Sequence, residues 1–246
     1  MEFIRFTDEK RLKFIAQTLE NSIIAGAEVL DIGCGNGVIS RRLGEMGFNV
    51  LGVDVSEKAI ARANSLNKNS NVRFEVKSAE QLVADEKKYA AIICSEVLEH
   101  LHHPEMLLKV LRKILAEHGV LIVTVPNGQG GRELFVTKPV QALMRKFPRI
   151  WGWLLKVKSF LGYQGTTDQS DADDLSHIQF FTVNSLTALA RKGGFEIMYW
   201  GKSNFIEDVF PISFLTKRIR NLQKLDCKIT ELLPLRFTGG FLTIWK

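Results

Sequence analysis

The sequence contains few cysteines, no cysteine pair and no long hydrophobic run. Its three cysteines, Cys34, Cys94 and Cys227, lie far apart and are odd in number, so the sequence indicates neither a disulfide framework nor a zinc knuckle. No run of apolar residues approaches the roughly 18 that a membrane-spanning helix needs. The first residues are charged throughout and lack the apolar core of a signal peptide. We therefore expect a cytoplasmic protein in a reducing compartment.

The remaining composition is that of an ordinary globular protein. Hydrophobic residues make up 46% of the 246 residues, and the net charge is +6. This length and composition predict a single domain that spans residues 1–246. Two segments, 127–176 and 202–238, show no clear strand pattern and carry basic helical pieces. We interpret them as helical insertions in that domain.

Short runs rich in β-branched residues alternate with helical patterns in the first half of the chain. The runs read AEVLDIG, FNVLGVD, VRFEVKS, YAAIICSEV and GVLIVTVP. One intervening pattern predicts a helix that begins near Pro104 and ends before Gly119. Two later runs, FEIMYWG and GGFLTIWK, bring the number of strands to seven. The alternation predicts an α/β fold with a doubly wound, mostly parallel sheet covered on both faces.

Three glycines follow the first predicted strand, in the stretch VLDIGCGNGVIS. Gly33, Gly35 and Gly37 stand at every second position, and Asp54 ends the next strand. In a doubly wound sheet the ligand lies at this turn, where glycine lets the backbone approach it closely. The dinucleotide fingerprint requires a glycine where this chain has Val38, so the pattern disfavours a nicotinamide cofactor.

The spacing of Asp31 and these three glycines resembles motif I of the class I S-adenosylmethionine-dependent methyltransferases. The closing strand pair is similar to the antiparallel last strand of their Rossmann-like sheet, so we expect that strand here. The resemblance implies that the chain is a methyltransferase with S-adenosylmethionine as cofactor. The cofactor-binding residues that it implies are Asp31, Gly33, Cys34, Gly35, Gly37, Asp54, Val55, Ser78, Ala79, Glu80 and Ser95.

The same resemblance gives these residues individual roles. Asp54 is expected to bind both ribose hydroxyls, because a carboxylate accepts two hydrogen bonds at once. The loop from Ser78 to Glu80 matches the adenine-contacting loop, and Ser95 with Glu96 matches the motif beside the methyl group. The glycine turn is expected to pack against the aminocarboxypropyl part of the cofactor.

A cluster of carboxylates and histidines occurs in the stretch SEVLEHLHHPE. Glu96, Glu99 and His100 are three and four residues apart, which predicts a common helical face. Similar motifs occur in the ubiquinone-biosynthesis O-methyltransferases and in the small-RNA 3′-end 2′-O-methyltransferases, which use them with a divalent ion. A further histidine, His177, stands in LSHIQFFT, which resembles a stretch of the same methyltransferase group.

These relatives imply two alternative mechanisms. In the first, Glu96, Glu99, His100 and His177 bind Mg²⁺, Mn²⁺ or Zn²⁺, which lowers the pKa of an acceptor hydroxyl. In the second no metal binds, and His100 or His177 is the general base. In either case we expect the catalytic residues to be Glu96, His100 and His177.

The charge excess is concentrated in residues 138–160, which contain six basic residues and no acidic one. Apolar residues recur there at helical spacing, and residues 214–222 repeat the basic pattern. This is typical of a lid over an active site, or of a lid that also contacts an anionic membrane as a peripheral protein does. A surface for nucleic acid is a third, less favoured use.

The sequence therefore predicts methylation of a hydroxyl oxygen on a small or lipid-like acceptor. The insertions are expected to form a lid or a membrane-facing cap over the acceptor. The alternatives are an RNA ribose 2′-O-methyltransferase and a non-catalytic, membrane-associated module that keeps the cofactor fold. Neither the acceptor nor the oligomeric state follows from the sequence.

Overall fold

The computed structural model describes residues 5–24, 26–130, 146, 178–205, 216 and 219–246. These residues contain one seven-stranded sheet flanked by helices. The strands are β1 (Glu28–Ile32), β2 (Asn49–Asp54), β3 (Val72–Val76), β4 (Tyr89–Ser95), β5 (Leu115–Pro126), β6 (Ile197–Lys202) and β7 (Gly240–Trp245). Their order in the sheet is β3-β2-β1-β4-β5-β7-β6.

The first five strands are parallel, and β7 runs antiparallel to both β5 and β6. This confirms the predicted doubly wound sheet with an antiparallel last strand. Where the strand order reverses, β1 lies between β2 and β4, which is the position of the ligand crevice in such sheets. The carboxyl ends of β1, β2 and β4 therefore meet at one edge.

The helices connect these strands and cover both faces of the sheet. They are α1 (Phe6–Ser22), α2 (Val38–Glu45), α3 (Glu57–Leu66), α4 (Ala79–Ala84), α5 (Pro104–Ile114), α6 (Val183–Lys192) and α7 (Arg220–Leu232). A short 3₁₀ helix, Leu98–His100, follows β4, and another, Leu235–Phe237, precedes β7. Within the described ranges, no helix has the length and apolar character to cross a membrane.

Side chains of the central strands alternate between two apolar layers, because successive residues of a strand point to opposite faces. Val29 and Ile93 pack with the buried face of α1, α2 and α3. Leu30 and Ile92 pack on the other face, against residues of α4, α5 and α6. Each fully buried leucine or isoleucine of these layers stabilises the fold by roughly 2–3 kcal/mol.

The predicted helix before Gly119 is shorter than expected. Helix α5 ends at Ile114, and Leu115 takes an extended conformation, with φ −74° and ψ 137°. Leu115 pairs with Tyr89 of β4 and is buried in the core, so strand pairing and burial replace the last helical turn. The register then shifts between Tyr89 and Ala91, which accommodates the residues up to Gly119.

The basic segment 138–160 lies outside the described residues, apart from Lys146. The proposed lid and its membrane contact therefore remain predictions. The described ends of the first insertion lie close together, because Gly128 N donates to Phe181 O at 2.6 Å. In the second insertion, α7 covers Arg220–Leu232, and most of the basic piece 214–222 lies outside the described residues. The two insertions therefore stay predictions.

Candidate functional site

The turn after β1 depends on glycine for its backbone conformation. Gly33, Gly35 and Gly37 have φ values of +68°, +54° and +74°, a region that side-chain-bearing residues rarely adopt. The N–H groups of Gly33 and Cys34 both donate to Val53 O, at 2.8 and 3.0 Å. These bonds attach the turn to the end of β2. The three glycines therefore determine the backbone conformation of the turn at the carboxyl edge of the sheet, where a ligand would bind.

Replacing Gly37 by alanine should destabilise the protein by roughly 2–4 kcal/mol. The new Cβ would collide with the Phe74 ring and lie 3.1 Å from Ala63 Cβ, in addition to the strain of a positive φ. Gly47→Ala is the matched control, because Gly47 has φ +92° but nothing within 4 Å of the new Cβ. Urea denaturation measures both changes, and an equal loss in the two variants would contradict the packing argument.

Asp54 holds the glycine turn at the end of β2. Its Oδ2 accepts from Gly35 N at 2.9 Å, and its Oδ1 accepts from Ser56 N, also at 2.9 Å. The next residue, Val55, is 74% exposed. A carboxylate has about four acceptor sites, so each oxygen can accept one further hydrogen bond. The arrangement fits a ligand that presents two neighbouring hydroxyl groups, as the ribose of S-adenosylmethionine does.

Asp31 lies beneath the turn rather than on its surface. Its carboxyl group is buried, and Ser40 Oγ donates to its Oδ2 at 2.5 Å. Burial is the main reason why the pKa of Asp31 is raised to about 7, and the charge of Asp54 adds to it. The hydrogen bond from Ser40 acts in the opposite direction.

This raised pKa predicts how stability depends on pH. Unfolded aspartate releases its proton near pH 4, whereas folded Asp31 holds it until about pH 7. Between these values the folded protein binds more protons, so the free energy of unfolding falls as the pH rises. Asp31→Asn should remove up to roughly 4 kcal/mol of this fall. Urea denaturation from about pH 4 to 8 measures it, and parallel profiles of the two proteins would contradict it.

The predicted adenine loop is the start of α4. Ser78 forms a capping box with Gln81, in which Ser78 N donates to Gln81 Oε1 at 2.8 Å. Ala79 begins the helix, and Glu80 is exposed with its pKa lowered chiefly by a hydrogen bond from Ser78. These residues lie after β3, on the far side of β2 from the glycine turn.

Two cysteines lie near the ends of neighbouring strands, Cys34 after β1 and Cys94 in β4. Burial raises the pKa of Cys34 and of Cys94 far above the ordinary value. Both thiols therefore stay protonated, and neither is suited to act as a nucleophile or as a thiolate ligand. For Cys34 this leaves a backbone or packing contact as its possible part in cofactor binding.

Ser95 and Glu96, at the end of β4, belong to a short chain of hydrogen bonds. Ser95 Oγ lies 2.9 Å from Thr124 Oγ1, and Thr124 Oγ1 donates to Glu96 Oε1 at 3.0 Å. The other oxygen, Glu96 Oε2, lies 3.9 Å from a guanidinium nitrogen of Arg11 in α1. Thr124 and Arg11 thus orient the Glu96 carboxylate from two sides.

The prediction that Glu96, Glu99 and His100 share one helical face is wrong. Glu96 has φ +57°, a left-handed conformation that no residue within a right-handed helix adopts. Its N–H instead donates to Thr124 O at 2.9 Å, which extends the pairing of β4 with β5 past Ser95. The backbone turns at Glu96, before the 3₁₀ helix begins at Leu98. The Glu96 side chain is therefore not on the same helical face as those of Glu99 and His100.

Glu99 and His100 lie in the 3₁₀ helix that follows this turn. The Glu99 side chain is buried, and one of its oxygens lies 3.9 Å from His100 Nε2. Glu99 O accepts from the N–H groups of Ile178 and Gln179, at 2.8 and 2.9 Å. These bonds attach the chain that returns from the first insertion to the Glu99 turn.

The predicted metal site is not assembled by the residues that the structure describes. Among them, no group of three or more histidine, cysteine, aspartate or glutamate side chains is placed to hold an ion. The fourth predicted ligand, His177, lies outside the described residues. The metal site, and a catalytic role for His177, therefore stay predictions.

A cavity opens beside Glu96 at the carboxyl edge of the sheet. It lies between the end of β5, the start of β7, helix α1 and the residues after β6. Its lining combines charged, polar and apolar side chains: Arg5, Thr7, Arg11, Glu96, Ser203, Asn204, Val125, Pro126, Phe205, Phe241 and Leu242. Such a lining suits an acceptor that has both an apolar part and a hydrogen-bonding part.

The glycine turn packs against the residue that follows Glu96. A Cβ on Gly33 would lie 2.5 Å from Val97 Cγ2, so the residue after Glu96 packs on the glycine turn itself. The turn that would hold a cofactor and the glutamate that lines the cavity are therefore neighbours. A group transfer requires its two ligands to lie side by side.

The cavity includes residues that the sequence patterns did not indicate. Arg5 precedes α1, Arg11 lies within it, Ser203 and Asn204 follow β6, and none of them belongs to a motif. Thr124, which holds Glu96 from outside the cavity lining, left a weak signal, because it is the polar residue in the apolar run VLIVTV.

A family model described as a methyltransferase domain matches residues 3–199, most of the chain. The chain belongs to this methyltransferase family. An ubiquinone biosynthesis O-methyltransferase from Coxiella burnetii is 26% identical to it over 200 residues, which are 80% of this chain and 74% of that protein. A protein of the same name from Xanthomonas euvesicatoria is 32% identical over 120 residues, covering 48% of this chain and 49% of that one.

Solved structures support the fold of this methyltransferase. Magnesium protoporphyrin IX methyltransferase from Synechocystis, with bound S-adenosylhomocysteine, aligns with a TM-score of 0.57 at 17% identity, covering 97% of this chain and 83% of that one. An S-adenosylmethionine-dependent methyltransferase from Methanosarcina mazei gives 0.57 at 18% identity, covering 93% and 95%. The chain is an S-adenosylmethionine-dependent methyltransferase, as the glycine turn and Asp54 predicted.

Proposed function

We propose that this methyltransferase transfers a methyl group to a hydroxyl oxygen of a small or lipid-like acceptor. The observation that carries the proposal is the position of Glu96. Glu96 lines the cavity, while the adjacent Val97 packs on the Gly33 turn. The names of the curated relatives, which are O-methyltransferases of ubiquinone biosynthesis, support the same bond type and an acceptor with a lipid-like part.

The residues of the cavity suggest how the transfer proceeds. When bound, S-adenosylmethionine supplies a methyl group on a sulfonium sulfur, which is open to attack by an oxygen nucleophile. Glu96 is placed to accept the proton of the acceptor hydroxyl as the new C–O bond forms and the C–S bond breaks. Thr124 and Arg11 hold the carboxylate in a fixed orientation, so little reorganisation is needed when the acceptor binds.

The apolar residues of the cavity can contact a hydrocarbon part of the acceptor. Val125 and Phe241 are buried, and Phe205 and Leu242 complete the apolar part of the lining. This part of the lining favours an acceptor that carries a hydrocarbon part next to its hydroxyl.

The test is methyl transfer from radiolabelled S-adenosylmethionine to separate pools of membrane lipid, small-molecule extract, total RNA and protein. We expect label in the lipid pool or in the small-molecule pool. Label in RNA alone would support the RNA ribose methyltransferase instead. No label in any pool, from a protein that binds the cofactor, would support the non-catalytic module.

A further inference from the structure

Helix α7 has a polar buried face. Gln223, Asp226 and Thr230 are buried at helical spacing, and Cys227 is buried beside them. Gln223 Oε1 accepts from Phe6 N at 2.9 Å, and Asp226 Oδ2 accepts from Phe205 N at 2.8 Å. The helix is therefore held against the protein by hydrogen bonds to backbone groups rather than by an apolar stripe.

The apolar residues of α7 lie on its outer side. Leu222, Leu225, Ile229 and Leu232 follow each other at intervals of three and four residues, so they share one face. All four are exposed, Leu225 by 52% and Leu232 by 87%. This is the reverse of an ordinary surface helix, which buries its apolar stripe in the core. A contiguous exposed stripe of this kind marks an interaction surface.

The charge around the stripe is positive. Lys224 and Lys228 are exposed, four residues apart, and lie beside the stripe on the helix surface. From residue 214 to residue 232, where the stripe ends, the sequence has five basic residues and two acidic ones. Asp226 is buried in the polar face, and Glu231 pairs with Lys10 at 2.6 Å. Arg220 pairs with Glu9, so Lys224 and Lys228 are the charges that α7 itself presents beside the stripe. The apolar stripe matches the hydrocarbon of an anionic lipid bilayer, and the lysines beside the stripe match its negatively charged headgroups.

We propose that α7 docks on an anionic lipid bilayer, with its leucine and isoleucine stripe in the headgroup boundary and its lysines on the phosphates. The inner face of α7 holds Phe205 through Asp226, and Phe205 lines the cavity beside Glu96. Docking would place that cavity next to the membrane, as the source of a lipid-like acceptor. In this respect the inference rests on the proposed function, which it deepens.

The experiment is flotation of the full chain with vesicles of phosphatidylcholine and phosphatidylglycerol, and with vesicles of phosphatidylcholine alone. It uses no methyl acceptor, so it can fail or succeed independently of the proposed reaction. We expect binding to the mixed vesicles that weakens as salt is added. The double substitution Leu225→Gln with Leu232→Gln should lower the bound-to-free ratio by roughly tenfold.

The matched control is Ile24→Gln with Met106→Gln. These residues are 82% and 58% exposed but lie on other parts of the protein, so this variant should bind like the wild type. Lys224→Glu with Lys228→Glu leaves the stripe and the buried face intact, and should also lose binding to the mixed vesicles. Circular dichroism of each variant confirms that it is folded.

Three results would overturn the proposal. The first is a wild type that does not float with the mixed vesicles. The second is a leucine variant that floats as well as the wild type. The third is a lipid-free wild type that is a dimer by sedimentation while the leucine variant is a monomer. That last outcome would assign the stripe of α7 to a second copy of the chain.

Discussion

Replacing Asp54 by alanine should weaken the binding of S-adenosylmethionine by roughly 2–4 kcal/mol, which is about 30- to 1,000-fold in Kd. The substitution removes the two charge-assisted hydrogen bonds that the carboxylate is expected to make to the ribose. It also releases the N–H groups of Gly35 and Ser56, so the glycine turn loses a support. Isothermal titration calorimetry of the wild type and the variant measures the loss.

Two further variants show how much of the change in Kd comes from the contact between Asp54 and the ligand. One tests the loss of a nearby negative charge, and the other tests the loss of the hydrogen bonds that support the glycine turn. Glu57→Ala removes an exposed carboxylate three residues away, at the start of α3, and should leave Kd unchanged. Asp54→Asn keeps a carbonyl oxygen that can accept from one of the two backbone groups, and should give an intermediate Kd. An unchanged Kd in the folded Asp54→Ala variant would mean that the ribose binds elsewhere.

Substitution of Glu96 by glutamine should lower kcat by roughly 10²- to 10⁴-fold, with little change in the Kd of the cofactor. Glutamine keeps a carbonyl oxygen for the hydrogen bond from Thr124, but it cannot accept a proton from the acceptor. The control is Glu117→Gln, an exposed site in the first part of β5. Single-turnover kinetics with a lipid acceptor measure the methyl-transfer step.

Chelation distinguishes this mechanism from the predicted metal site. If Glu96 acts as the base alone, EDTA should leave kcat unchanged, and Glu99→Ala should affect stability more than chemistry because its side chain is buried. If an ion is needed, EDTA should abolish turnover, and Mg²⁺, Mn²⁺ or Zn²⁺ should restore it. Full activity of Glu96→Gln without an ion would move the base to His100 or His177.

The sheet and the cofactor turn could be predicted because their causes are local. The apolar runs specify strands, and the alternation with helical patterns specifies parallel pairing and therefore which strand ends meet. The turn at Gly33 needs positive φ values, which glycine adopts readily and other residues rarely do. The glycine spacing in the sequence therefore indicates the turn directly. The end of α5 was missed because helical propensity continued past Ile114, while pairing with β4 decided the conformation of Leu115.

The cavity could not be predicted because its residues come together only in the folded chain. Arg11 and Ser203 are separated by most of the sequence, and neither has a neighbour pattern that indicates a site. The positive φ of Glu96 has the same kind of cause, since its N–H pairs with Thr124 O across the sheet. The exposure of the α7 stripe also depends on packing, because the helical period alone predicts that leucines are buried.

The most direct test of the account is to identify the atom that receives the methyl group. The protein is incubated with S-adenosylmethionine labelled with ¹³C in its methyl group and with membrane lipid, and the labelled product is isolated and analysed by NMR and mass spectrometry. The account predicts a labelled methyl ether on a hydroxylated lipid, formed in equal amount with S-adenosylhomocysteine and strongly reduced by Glu96→Gln. A labelled carbon bonded to nitrogen or to carbon would contradict it.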